Sequence, residues 1–90
     1  MAFVKIPVNK DDWTLIGESV SAITFQNAGQ YPVYINFTNG NTAPTDTVGL
    51  MYGPREGELK KTLTDMTAVS TPNHVWAKSV SYTGNVIAEE

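Results

Sequence analysis

The sequence predicts an all-β domain. Val, Ile and Thr supply 25 of the 90 residues and Leu only four, a balance that favours pleated strands over helices. Apolar residues alternate with polar ones over short stretches, and Gly, Pro, Asn and Asp punctuate the chain at near-regular intervals. Ala22 to Gly40 shows this most plainly, as alternation, a small polar loop and alternation again, and it reads as a β-hairpin.

In chain order, Phe3–Val8 is a first strand carrying Phe3, Val4 and Ile6, and Pro7 marks it as an edge strand or a strand end. Residues 9–12 (NKDD) turn the chain into Trp13–Ile16, which Gly17 stops. Val20–Gln26 follows, with Ile23 and Phe25 on one side and Thr24 and Gln26 on the other. After the loop Asn27–Gln30, Val33, Ile35 and Phe37 repeat the inward face while Tyr34, Asn36 and Thr38 point outward. Thr38–Thr47 is the longest polar stretch and reads as an exposed loop without core residues.

Val48–Tyr52 is a short strand, and Gly53–Gly57 has the proline and glycines of a sharp reversal. Glu58–Met66 is ambiguous, since Leu59, Leu63 and Met66 also fit helical spacing; the strand reading is preferred. After a polar turn over Val69–Asn73, Val75–Ser81 and Gly84–Ala88 read as a closing hairpin. The expected fold is a single domain over residues 1–90, a small β-sandwich or jelly-roll-like barrel of seven to eight short antiparallel strands, with residues 1–9 an arm or an edge strand.

Composition narrows the function classes. A chain of 90 residues has a small core, and small folds are commonly reinforced by disulfides, a metal or a partner chain. There is no Cys and a single His, so one chain cannot assemble a tetrahedral zinc site; oligomerisation, as a dimer or trimer, is the remaining candidate, the alternative being a small fold that suffices by itself. Met1–Val8 lacks the apolar run and cleavage site of a secretory signal, and no stretch reaches the roughly 18 apolar residues of a membrane span. Asn36-Phe37-Thr38 matches a glycosylation acceptor, but nothing routes the chain to a secretory pathway. The net charge is −3 and the basic residues are dispersed, only Lys60 and Lys61 being adjacent, which does not fit DNA or RNA binding.

No enzyme chemistry is legible. His74 follows Pro72 and Asn73 and reads as an exposed turn histidine, without an evident Ser or Thr nucleophile partner and orienting group. The carboxylates fall mostly in turns, where they are solvated caps, and no calcium-loop spacing or phosphate-cradling glycine motif occurs. No cofactor is expected. The aromatics carry more promise, because Trp and Tyr exposed on a β-sandwich anchor protein interfaces or stack on sugars. Trp76 reads as packing; Tyr34, opposite in sense to Val33 and Ile35, is the best exposed candidate, with Trp13 and Tyr52 beside it.

The order of features resembles that of small virion structural proteins of tailed bacteriophages. The elements are Trp13 with Leu15, Ile23–Gly29, Pro32–Ile35, Pro44 in a polar loop, Gly49-Leu50, Gly57-Glu58, Val75–Ser79 and Gly84–Glu89. The resemblance implies a β-sandwich held on a virus particle, often as a multimer, with no catalytic residues. Head decoration (cement) proteins are the first expectation, with tail or fibre components and a carbohydrate-binding module as alternatives. The partner is then the major capsid protein or another virion protein, and the place is the capsid surface after synthesis in the host cytoplasm. An acidic chain suits the outside of a DNA-packed shell. The candidate contact residues are Phe3, Val4, Ile6, Trp13, Tyr34 and Tyr52.

Overall fold

In a computed structural model of the chain, which describes residues 3–89, eight strands and one 3-10 turn are formed. The strands are β1 (Phe3–Val8), β2 (Thr14–Glu18), β3 (Ala22–Asn27), β4 (Val33–Thr38), β5 (Leu50–Tyr52), β6 (Gly57–Thr62), β7 (His74–Ser79) and β8 (Gly84–Glu89). They make two antiparallel four-stranded sheets, ordered β1-β8-β3-β6 (sheet A) and β2-β7-β4-β5 (sheet B). The all-β sandwich expected from composition and alternation is therefore what the chain forms.

The strand order has a simple logic. β1 pairs with β8, β2 with β7, β3 with β6 and β4 with β5, as in one long hairpin, and the β3–β8 and β4–β7 pairings roll that hairpin into two layers. This is the order of a double-sheet jelly roll. Both sheets stay open, with β1 and β6 at the edges of sheet A and β2 and β5 at the edges of sheet B, so the fold is not a closed barrel.

Two expected hairpins are not hairpins. β3 and β4 lie in different sheets, as do β7 and β8, so the segments 28–32 and 80–83 are arches that carry the chain across the sandwich. Alternation specifies which side of a strand is buried but not which strand it pairs with. Strands that face each other across a core satisfy it as well as strands that sit side by side.

The core is the interleaving of the two inner faces. Val8, Ile23, Phe25, Val86 and Ala88 come from sheet A, and Ile16, Val33, Ile35, Phe37, Val75 and Ala77 from sheet B. Ile6, Val20, Tyr52 and Met66 pack around this cluster. Gly17 does not stop β2, which runs through it to Glu18; a bulge between Leu15 and Gly17 sets Ile16 into the core. The strand expected over Glu58–Met66 holds only to Thr62. Residues Leu63–Asp65 then form a 3-10 turn that drops Leu63, fully buried, into the core.

The loops sort to the two ends of the sandwich. Ala28 N–H donates to Asn85 O, Arg55 N–H to Asn27 O and Ser79 N–H to Asn9 O, tying the β1–β2, β3–β4, β5–β6 and β7–β8 connections together at one end. At the other end Val20 N–H donates to Asn73 O, Asn73 N–H to Thr38 O and Leu63 N–H to Ser21 O.

Candidate functional site

Sheet A presents its outer face through Phe3, Lys5 and Pro7 of β1, Asn85, Ile87 and Glu89 of β8, and Thr24 and Gln26 of β3. These alternate with the inward Val8, Val86, Ala88, Ile23 and Phe25. A shallow groove crosses this face, with Phe3 and Leu59 at its rims and Thr24, Gln26 and Ile87 among its lining residues. Phe3 is 65% exposed and Leu59 78%, the two highest values among the large apolar side chains of the described residues. Burying them in water-free contact is worth about 1.5–3 kcal/mol each, and nothing within the described chain does so. Leu59 was not singled out as a contact residue from the sequence, where it reads as one half of an ambiguous apolar spacing; its sheet position at edge strand β6 is what exposes it.

The six residues expected to make contacts do not converge on one surface. Phe3 lies on the outer face of sheet A, and Val4, next to it on edge strand β1, is also exposed. Ile6 instead packs against the core, with Val8 buried beyond it. β1 pairs with β8 along its whole length, from Phe3 opposite Glu89 to Val8 opposite Gly84, so it is an edge strand of its own sheet. Residues 1 and 2 of the expected arm lie outside the described residues.

Trp13 and Tyr34 belong to the other side of the molecule. Tyr34 stands between Lys78 of β7 and Met51 of β5 on the outer face of sheet B. Trp13, just before β2, receives the Lys78 ammonium 5.4 Å from its ring centroid and donates its indole N–H to Asp46 O at 2.9 Å. Both rings are half-buried. The long 39–49 connection is mostly exposed, as expected, yet it is pinned across this face. Asn36 Nδ2 donates to Val48 O and Lys78 Nζ to Thr47 O, while Trp76 Nε1 donates to Thr38 Oγ1 of the neighbouring strand β4 at 2.8 Å. Trp76 is buried here, outside the inter-sheet core, and is packing as expected.

Tyr52, half-buried, makes its contacts in this structure between the two sheets. Its ring meets Phe25 edge-on at 4.9 Å between centroids, and its hydroxyl donates to Glu58 Oε2 at 3.1 Å. Burial, then the hydrogen bond to Glu58, then the charges of Glu58 and Glu56 push the phenol up to about 12.

His74 is corrected from an exposed turn residue to a buried one, 6% exposed on β7 between Glu18 of β2 and Thr38 of β4. Asn73 Oδ1 accepts Gly40 N–H at 2.8 Å, which identifies it as the carbonyl oxygen, so His74 Nδ1 is the donor in the 2.6 Å contact between them. The imidazole thus caps the junction of the β4–β5 and β6–β7 connections. Among the described residues, no group of three or more His, Asp and Glu side chains is placed to hold a metal ion.

A further set of aromatics lies at the end where the arches meet. Tyr31, in the β3–β4 arch, and Tyr82, in the β7–β8 arch, are both exposed and contact each other with ring centroids 4.8 Å apart. No family model, curated protein or solved structure matches the chain.

Proposed function

We propose that the chain is a non-enzymatic virion structural protein, a head decoration protein that docks on a capsid through the outer face of sheet A. The observation that carries the docking surface is the groove rimmed by Phe3 and Leu59, where two large apolar side chains stand in solvent across a mostly polar sheet face. Val4, paired with the inward Ala88, is exposed on the opposite face of edge strand β1 and is not part of this groove. The virion as the place rests on the order of motifs from Trp13 to Glu89, and the net charge of −3 supports the outside of a DNA-filled shell. Many copies on a symmetric lattice convert a modest contact of this kind into stable attachment.

The test is co-sedimentation of the purified chain with DNA-filled heads and, separately, with isolated tails of the same virus. Saturable binding to heads, with a gain in their resistance to heat or chelation, supports the reading. Binding to tails alone replaces it with a tail component, and binding to neither removes the virion assignment.

A further inference from the structure

The end of the sandwich where the β3–β4 and β7–β8 arches meet has the features of a small-ligand site distinct from the sheet A groove. Tyr82 is 61% exposed and Tyr31 41%, yet the two rings rest on each other with planes inclined by 45°, forming an aromatic platform in solvent rather than in the core. Beside it is a concave space of about 280 Å³ lined by Ala28, Gly29, Gln30, Tyr31, Thr83, Gly84 and Asn85. That is close to the roughly 300 Å³ at which small-molecule pockets begin.

The platform is held in place before any ligand arrives. Buried Asn27 donates from Nδ2 to Tyr31 O at 2.8 Å and accepts Gly29 N–H on Oδ1 at 2.9 Å, fixing the first arch from beneath. The second arch is stapled to the first by Ala28 N–H to Asn85 O and Val80 N–H to Pro32 O. A Cβ at Gly29 would come within 3.3 Å of Asn85 N and Gly84 Cα, a tight contact with backbone atoms that would press the two arches apart by a few tenths of an ångström. Preorganisation of this kind lowers the ordering cost of binding.

The lining selects the ligand class. It contains no charged residue, which disfavours phosphates and nucleotides, and no large aliphatic side chain, which disfavours lipids. What it offers is the Tyr31 ring, which Tyr82 backs from outside the lining, the amides of Gln30 and Asn85, and the Thr83 hydroxyl. Aromatic faces stack on the C–H faces of pyranose rings, and amides and hydroxyls bond their hydroxyl groups. We propose that Tyr31 and Tyr82, with Gln30, Thr83 and Asn85, form a binding subsite for a short neutral saccharide such as those displayed on cell surfaces. The site shares no lining residue with the sheet A groove.

The experiment is to probe the purified chain on an array of neutral and N-acetylated oligosaccharides, and to titrate the best of them into the isotopically labelled chain by NMR. Saturable binding that moves the amide signals of Gly29, Thr83, Gly84 and Asn85 is expected. Tyr82→Ala and Tyr31→Ala should each weaken it at least fivefold, while Tyr82→Phe and the groove variant Leu59→Lys leave it within twofold. The proposal is overturned if no saccharide binds saturably, if the shifts map elsewhere, or if affinity survives both alanine substitutions.

Discussion

The Tyr52 hydroxyl donates to Glu58 Oε2 at 3.1 Å, joining β5, an edge of sheet B, to β6, an edge of sheet A, across the open side of the sandwich. An open two-sheet fold has no strand pairing to close this side, so a side-chain clasp takes its place. The Phe25 ring, 4.9 Å from that of Tyr52, backs the clasp with core packing.

The clasp sets a pH dependence. The folded phenol titrates near 12, above its ordinary value of 10.0, because burial and then Glu58 disfavour the phenolate. The folded state therefore holds more protons than the unfolded state between these values, so the stabilisation is complete below pH 10 and is lost as pH rises toward 12. Urea unfolding at pH 8 and pH 11 should show a steeper fall for the native chain than for Tyr52→Phe. At pH 8 the variant should lose no more than about 1 kcal/mol, since the pair is partly solvated. Equal slopes for the two chains would show that the phenol is neither buried nor bonded to Glu58 in solution.

Asn27 is the polar residue on which the arch end depends. It is fully buried, and its amide donates to Tyr31 O and to Tyr52 O at 3.2 Å while accepting Gly29 N–H. Asn27→Ala leaves these part-buried backbone groups without their partner and should cost about 2 kcal/mol in chemical denaturation. Asn27→Asp keeps the acceptor for Gly29 but loses both donors, and should be no better. A loss below about 1 kcal/mol for either variant would mean that water replaces the amide without penalty.

These examples mark what was legible in the sequence. The inward set Ile23, Phe25, Val33, Ile35 and Phe37 follows from period-two alternation, and all five are buried. Strand pairing was not legible, because β3 and β4 alternate in the same way whether they sit side by side or face each other. His74 misled for a related reason. Pro72 and Asn73 do signal a turn, but nothing local says that the following strand is flanked on both sides, by β2 and β4, and covered. The exposed contact residues were the least legible: Phe3 and Leu59 share a groove only through sheet A, although 56 positions separate them in the chain. Tyr31 and Tyr82 likewise meet only because the two arches fall at one end.

Gly57 tests the sheet A register at β6. A Cβ there would fall 1.9 Å from Phe25 O and 2.7 Å from Gln26 Cα, both backbone atoms that cannot step aside without separating β6 from β3. Gly57→Ala should therefore cost at least about 3 kcal/mol or prevent folding. Gly84→Ala is the contrast: its Cβ would meet only Val8 Cγ2 at 3.8 Å, an ordinary contact, and thermal unfolding should shift by no more than a few degrees. Similar melting temperatures for both variants would contradict the β3–β6 approach described above.

Phe3 and Leu59 separate stability from docking. Both side chains project from the sandwich and neither belongs to the core, so Phe3→Ala and Leu59→Lys should each change unfolding free energy by no more than about 0.5 kcal/mol. If the groove is the capsid-facing surface, the same substitutions remove buried apolar area from the contact, and Leu59→Lys adds a charge that must be desolvated. Attachment to heads should then fall at least tenfold for Leu59→Lys and further for the double variant. Variants of Tyr34 on the opposite sheet should leave attachment unchanged. Loss of binding with Tyr34→Ala but not with Leu59→Lys would move the docking face to sheet B, where Trp13, Lys78 and the pinned 39–49 connection would be the surface to map next.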